Sequence, residues 1–459
     1  MRISQLRDAR VGILGFGVEG RSAIAAVRRS GNQSPITVLV DQPSQPGQLT
    51  APDDVHFAFD PEAALGEIDV LVRSPGFAPG HRFRLAADGR GVAQTTTMNL
   101  FLSELRAHDL PSVGVTGSKG KSTTSTLIFR ALKESGVAAS LVGNIGAPVL
   151  DVLDSVLSSR SIAVVELSSY HCADLRVAPS VAVLLQLFPE HMDWHGTVDA
   201  YYLAKMQIAL QQRPQDQFFY LDDTRAFVER FQIPSRAEAV ATQGGVHWAD
   251  GWFWRGSERL FSDECVGIPG QHNKRNICCA IAAASAVGGK SEGMAAALSG
   301  FHGLPFRLQD EGLHGGIRWV NDSISTAPEA TAAALRAFGA SARTLIFGGF
   351  DRGYELPVVV EALRESAVEQ LILLPTTGHR LAREQAQPLS HLRLLEVPDL
   401  RSAVAAAREV TPLGSVCLFS PGAPSYGFFR DFEDRGRQLA ALIREFDGSA
   451  GRAEPQRSE

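Results

Sequence analysis

Cysteine is scarce in this sequence. Its five residues, Cys172, Cys265, Cys278, Cys279 and Cys417, are scattered over 459 positions, and no C-x-x-C pair occurs. That excludes a disulfide framework and fits a reducing, cytoplasmic setting. Long apolar runs are missing too: none approaches the ~18 residues of a membrane span, and the polar Met1–Arg10 has no signal core behind it. An excess of positive charge is also lacking, since 44 Lys+Arg against 50 Asp+Glu leaves −6. This argues against a dedicated nucleic-acid or anionic-membrane binder, so neither partner is expected. No repeat of solenoid period is visible.

What is present is a chain rich enough in apolar residues to bury real cores. Hydrophobic residues make up 44% and charged ones 20%, which rules out extensive disorder. At roughly 150 residues per domain the length suggests about three domains. Strand-like runs alternate with helical stretches throughout, which implies βαβ units and parallel sheets. The strand-like runs are Val11–Leu14, Ile36–Val40 and Val70–Val72, then Ser112–Thr116, Ile162–Glu166 and Val181–Leu187, and last Arg318–Asn321, Leu345–Gly349, Leu371–Leu374 and Val416–Ser420. Helices are expected near Ser22–Arg29, Ser122–Glu134, Val198–Gln211, Glu329–Phe338, Val358–Glu365 and Leu400–Glu409. A hairpin is expected over Val246–Phe261, turning at Asp250-Gly251. Boundaries near residues 97 and 302 divide the chain into 1–97, 98–302 and 303–459, with a polar, frayed tail from Gly448.

The strongest local signal is Gly114-Val115-Thr116-Gly117-Ser118-Lys119-Gly120-Lys121-Ser122-Thr123, between an expected strand and an expected helix. Glycines let successive N–H groups turn inward, the helix N-terminus adds partial positive charge, and Lys121 adds a full one for phosphate oxygens. Ser122 or Thr123 can reach Mg²⁺. The first glycine of the usual G-x-x-x-x-G-K-S pattern would fall at Val115, so an ordinary glycine-rich turn is the competing reading. Gly15-x-Gly17-x-x-Gly20, with Asp41 further on, reads as a dinucleotide fingerprint and would suggest NAD if taken alone. Beside a separate ATP loop, a nucleotide-diphosphate substrate is the better reading. Glycines that serve only packing form the bland alternative.

Glu166 ends a strand near the phosphate loop, where a carboxylate can meet Mg²⁺. His191 and His195 have the i, i+4 spacing of a zinc helix, but Gly196 follows and no Glu occupies the second position, which excludes a zinc protease. His195 is expected to be a packing or surface residue. Lys205 lies on an apolar-patterned helix and, from the residues alone, reads as a solvated charge. Asn321-Asp322-Ser323, Gly348–Gly353 and Ser420–Ser425 all follow strands, as residues lining a crevice of an open parallel sheet do.

The ordered series Thr116–Thr123, Gly143-Asn144-Ile-Gly146, Glu166-Leu-Ser-Ser169, Glu190-His191-Met-Asp193, Ala204-Lys205, Gly270-Gln-His-Asn273, Asn276, Arg307 and Asn321-Asp322-Ser323 resembles the Mur ligase family. These are ATP-dependent amide-forming enzymes of peptidoglycan precursor synthesis. The ending Phe432-Glu-Asp-Arg-Gly436 is similar to the glutamate-adding branch, which acts on UDP-N-acetylmuramoyl-L-alanine. The resemblance implies an α/β fold of three domains: an N-terminal Rossmann-like domain, a central P-loop ATPase-like domain with a mostly parallel sheet, and a C-terminal Rossmann-like domain. It implies a monomer and hinges near residues 97 and 302.

It also implies roles. Gly117, Ser118, Lys119, Gly120, Lys121, Ser122 and Thr123 would cradle ATP, with Lys121 on the γ-phosphate. Ser122 and Glu166 would hold one Mg²⁺, His191 and a carbamylated Lys205 the second. Asn144 and Asn276 would line the ATP site, and Arg307 and Asp322 would reach towards phosphate and ribose. Gly17, Asp41 and Ser74 would contact the UDP moiety; Thr326, Arg352, Ser425 and Phe432 would receive glutamate. Ile324-Ser325-Thr326 stands where D-glutamate-adding members often carry Lys-Ala-Thr, Arg352 stands where many have lysine, and Ser425-Tyr426-Gly427 replaces a more polar loop. D-glutamate is the expectation, with L-glutamate as the alternative. An NAD-linked oxidoreductase is a more distant reading that leaves the ATP loop without purpose. A folate-polyglutamate synthetase would not explain the N-terminal nucleotide fold.

Overall fold

Short β-branched and aliphatic runs buried on both faces fold as parallel strands, and amphipathic segments between them cross back as helices. In the computed structural model the described residues are 1–41, 54–144, 147–268, 270–351, 356–385, 387–425 and 427–450. The chain divides into two compact units, Met1–His302 and Gly303–Glu459.

The first unit opens with a five-stranded sheet of β1 (Val11–Leu14), β2 (Ile36–Leu39), β3 (Val55–Ala58), β4 (Val70–Arg73) and β5 (Ala93–Thr96), in the order β3-β2-β1-β4-β5. All its pairings are parallel. Chain order reverses between β1 and β4, and a crevice opens beyond the strand ends at such a point. The helix Thr97–Ala107 follows, its Met98, Phe101, Leu102 and Leu105 fully buried. It leads into a second parallel sheet of β6 (Ser112–Thr116), β7 (Ala139–Gly143), β8 (Ile162–Glu166), β9 (Val181–Leu184), β10 (Gln217–Leu221) and β11 (Arg236–Val240), ordered β11-β10-β9-β6-β8-β7. Here the reversal falls at β6. One apolar cluster takes Val11, Val38 and Val72 from the first sheet and Val142, Val165 and Leu184 from the second.

The expected hairpin forms as β12 (Val246–Ala249) against β13 (Trp252–Arg255), and β14 (Glu258–Ser262) adds a third antiparallel strand. The second unit holds β15 (Gln309–His314), β16 (Ile317–Asn321), β17 (Ala342–Phe347), β18 (Gln370–Leu373), β19 (Arg393–Glu396) and β20 (Val416–Phe419), in the order β15-β16-β20-β17-β18-β19. Among the described residues of this unit only β15 pairs antiparallel. The expected helices all form, the first starting earlier than its sequence signal, at Val18. The expected frayed tail is corrected at its start: the last helix, Phe432–Ala450, carries straight through Gly448, because Leu439 and Ile443 anchor it in the core. Residues 451–459 lie outside the described residues.

Candidate functional site

The loop between β6 and the helix Lys121–Glu134 is built around two glycines with left-handed backbone. Gly117 has φ +153°, and a Cβ there would lie 2.6 Å from that of Leu185; Gly120 has φ +87°, and a Cβ there would lie 2.7 Å from the Asn276 amide. Only glycine lets the loop pass this close to both neighbours. The helix that follows presents its first N–H groups without intrahelical partners, an anion-binding arrangement. Lys121 curls back over the loop, donating to Gly117 O at 3.0 Å and Ser118 O at 2.8 Å. Ser118 is buried, its hydroxyl bonded to Phe188 O at 2.8 Å and 3.0 Å from the Tyr201 hydroxyl. Lys119 points the other way and pairs with Glu190 at 2.6 Å. Ser122 and Thr123 sit in the first helical turn.

Beside this loop, at the end of β8, lies Glu166. One carboxylate oxygen accepts from Asn144 Nδ2 at 2.8 Å; the other is buried with no hydrogen-bond partner, and the residue is 1% exposed. A buried carboxylate oxygen left unpaired is costly unless something positive meets it. That orphaned oxygen, the hydroxyl of Ser122 and the oxygen-rich phosphates expected at the loop suit a hard cation such as Mg²⁺, which keeps few protein ligands. Among the described residues no cluster of three His, Cys, Asp or Glu forms a complete metal cage.

Lys205 contradicts its reading as a solvated charge. It is 1% exposed on the helix Val198–Leu210, donates to Gly117 O at 2.8 Å and lies 4.7 Å over the Tyr201 ring. Burial, reinforced by the nearby charge of Lys121, lowers its pKa to about 7. His191 is exposed with φ +59°, 5.1 Å from the Tyr170 ring. His195 packs among Tyr170, Trp194 and Tyr201, as expected. The sequence reading missed Tyr201, although it precedes Lys205 by one helical turn and so shares its face.

At the reversal of the first sheet a cavity of about 420 Å³ is lined by Gly15–Glu19, Val40, Asp41 and Ser74–Phe77. Gly17 and Ser74 therefore face one space. Asp41 joins them with its carboxylate held by Arg82 at 3.0 Å and His81 at 3.3 Å.

In the second unit the Asn-Asp-Ser motif is stitched into the fold. Asp322 is 3% exposed and accepts from Leu308 N–H and from the hydroxyls of Ser325 and Ser420. Burial raises its pKa. Arg307, exposed, stands between Phe306 at φ +58° and Leu308 at φ +45°. Two non-glycine residues in that region signal a strained loop, and the Asp322 bond to Leu308 helps hold it. Arg435, absent from the expectations, is fully buried and donates to Ser323 Oγ and O and to Ala423 O. A cavity of about 460 Å³ is lined by Gly348, Gly349, Ser425, Phe428 and Arg435 among others. Ser425 is buried, Thr326 and Phe432 half-buried, and Arg352 lies outside the described residues.

Residues 115–284 match the model of the Mur ligase middle domain. A Micromonospora protein named UDP-N-acetylmuramoyl-L-alanine–L-glutamate ligase is 37% identical, over 98% of this chain and 100% of its own length. The chain belongs to the Mur ligase family. A Xanthomonas axonopodis pv. citri protein of the same name is 35% identical over 96% of both chains. The fold agrees with that of the MurF ligase from Thermotoga maritima, solved with ADP: TM-score 0.54 at 16% identity, covering 98% of this chain and 97% of that one. Membership of the Mur ligases makes the protein an ATP-dependent amide-forming ligase of peptidoglycan synthesis. No helix of the described residues is long and apolar enough to cross a membrane.

Proposed function

We propose that this ligase joins L-glutamate to the alanyl carboxylate of UDP-N-acetylmuramoyl-L-alanine. The observation that carries the choice of enantiomer is the name shared by its near-full-length relatives at 35–37% identity. Ile324 agrees with it, standing where D-glutamate-adding members often carry lysine. The D-enantiomer, expected from the more common members, is the competing reading. Phosphate release with ATP, Mg²⁺, the UDP-sugar and each glutamate enantiomer in turn decides: turnover with L-glutamate alone supports the proposal, and turnover with D-glutamate alone overturns it.

The chemistry follows from the weakness of a carboxylate as an acyl donor. Its oxygen attacks the γ-phosphorus of ATP, the bond to the β-phosphate oxygen breaks and ADP leaves. The neutral amine of glutamate then attacks the acyl carbon, its nitrogen loses one proton to solvent or the departing phosphate, and an amide remains. Lys121, the glycine-lined loop and the helix N-terminus offset the negative charge gathered in the first step. Ser122 and Glu166 would hold one Mg²⁺, and His191 with Lys205 the second; when bound, the ions add positive charge against the phosphate oxygens.

Lys205 fits a carbamate. With its pKa near 7 much of the amine is neutral at physiological pH. Neutral Nζ adds to CO₂ and loses a proton, which turns a buried cation into an oxygen ligand. Asn144, Asn276, Arg307 and Asp322 are assigned to the nucleotide in the same proposal. Gly17, Asp41 and Ser74 receive the UDP moiety; Thr326, Arg352, Ser425 and Phe432 receive glutamate. The division into domains at residues 97 and 302, a cytoplasmic setting and a monomeric state belong to the same proposal.

A further inference from the structure

The loop Ser74–Phe77 is held from outside its own sheet. Arg73, the last residue of β4, donates to Asp174 Oδ2 at 2.9 Å, and Arg84 donates to Asp174 Oδ1 at 2.9 Å. Arg84 also donates to the loop itself, at Phe77 O, 2.9 Å away. One residue back along the loop, Gly76 O accepts from Trp194 Nε1 at 3.1 Å.

Both outside anchors come from segments that carry the phosphate chemistry. Asp174 closes the short helix Ser169–Ala173, which starts just after Glu166 at the end of β8. Its backbone oxygen is fixed in turn by Asn99 Nδ2 at 2.7 Å. Trp194 lies three residues after His191, and its ring rests 4.9 Å from Tyr170 and 4.4 Å from His195.

The side chains of Arg73, Asp174 and Arg84 are 8%, 9% and 12% exposed. Packed apolar residues would stabilise such a junction at least as well, so a buried charge cluster points to fixed geometry. The junction joins a loop on the UDP-sugar cavity to the strand end and turn beside the ATP loop. In-line transfer needs the acyl oxygen and the phosphorus held near contact, and an error of about 1 Å can cost a hundredfold in rate.

We infer that Asp174 and Trp194 are positioning residues that fix the Ser74–Phe77 loop, and with it the acyl substrate, relative to Glu166 and His191. The inference rests on the proposed function, in that the cavity at Ser74 is taken to hold the UDP-sugar.

Trp194→Phe keeps an aromatic ring against Tyr170 and His195 but has no N–H for Gly76. Its KM for the UDP-sugar should rise by about fivefold or more, as loss of one hydrogen bond allows. Its kcat should fall by about tenfold, with KM for ATP unchanged. Asp174→Asn should move the same constants in the same direction. Melting temperature, measured on both variants, separates loosening from unfolding. Wild-type constants in a folded Trp194→Phe overturn the inference, as does an equal rise in both KM values or a lowered melting temperature with constants intact. Should Trp194→Phe not fold, the same three outcomes are read on Asp174→Asn. If the wild-type enzyme itself releases no phosphate with the UDP-sugar and glutamate, the proposed function has failed. The inference is overturned alone where the wild type turns over and the variants show any of those three outcomes.

Discussion

Lys121 and Lys205, from different helices, donate to the same backbone oxygen: Gly117 O lies 3.0 Å from the first ammonium and 2.8 Å from the second. Two like charges sharing one acceptor are stable only if one gives up its proton or gains a negative partner. Lys205, the more deeply buried, gives way, its pKa lowered to about 7 by burial first and by Lys121 second. The ATP loop thus creates the conditions for a neutral lysine beside itself.

Lys205→Met tests this directly. It removes the buried cation while keeping most of the side-chain volume, so melting temperature should hold or rise. Ligase activity should fall by about a hundredfold or more, the upper range for loss of a group supporting a metal. Lys205→Ala should be equally inactive but leave room for a short carboxylic acid, and partial rescue of phosphate release by added acetate would support the carbamate. Unchanged turnover would remove Lys205 from the site.

Glu166→Gln keeps an oxygen for Asn144 and replaces the orphaned carboxylate oxygen with an amide. Without Mg²⁺ the variant should melt no lower than the wild type, since a buried charge is gone. The Mg²⁺ concentration for half-maximal phosphate release should rise by about tenfold or more. A titration that overlays the wild-type curve would take Glu166 out of metal binding.

How much of this was legible in the sequence depends on position within each sheet. The interior strands with β-branched runs, such as Val181–Leu184 and Val416–Phe419, stand out by composition. The six edge strands of the three larger sheets escaped: β3, β5, β7, β11, β15 and β19. Arg236-Ala-Glu-Ala-Val240 and Ala93-Gln-Thr-Thr96 carry polar side chains on partly exposed edges, so neither alternation nor an apolar run marks them. Among interior strands, Gln217–Leu221 was the one without a sequence expectation. The ATP loop was legible because its chemistry is local, with glycines, a lysine and hydroxyls within eight residues. Asp174 and Trp194 were not, because their partners lie 101, 90 and 118 residues away. Lys205 was misread for a related reason: its helix is apolar around most of its surface, so no polar face announces where a lysine would point.

Gly120→Ala forces a side chain into the left-handed region and towards the Asn276 amide at 2.7 Å. The combined strain should cost about 1–3 kcal/mol of stability, readable as a lower urea midpoint. Relief requires the loop or Asn276 to move, so KM for ATP should rise while binding of the UDP-sugar at its own cavity is unaffected. Equal losses in both would mean that the substitution disturbs the fold rather than the loop.

His171 makes the stability of the first unit sensitive to acid. It is buried in the helix Ser169–Ala173, where Nδ1 lies 2.8 Å from Ser168 Oγ, and burial lowers its pKa from 6.5 to about 4. The folded chain therefore keeps this imidazole neutral where the unfolded chain has already bound a proton. The stability it contributes is fully present above about pH 6.5 and is lost progressively as pH falls through about 4. The total is about 3 kcal/mol, from the size of the shift. In His171→Asn the side chain no longer titrates, so this share of the acid dependence should vanish. Urea unfolding of both proteins at steps from pH 7 to pH 4 isolates it, because the carboxylates common to both cancel in the difference. The wild type should lose stability faster than the variant across that interval, and parallel curves would mean that His171 is solvated or protonated in the folded enzyme.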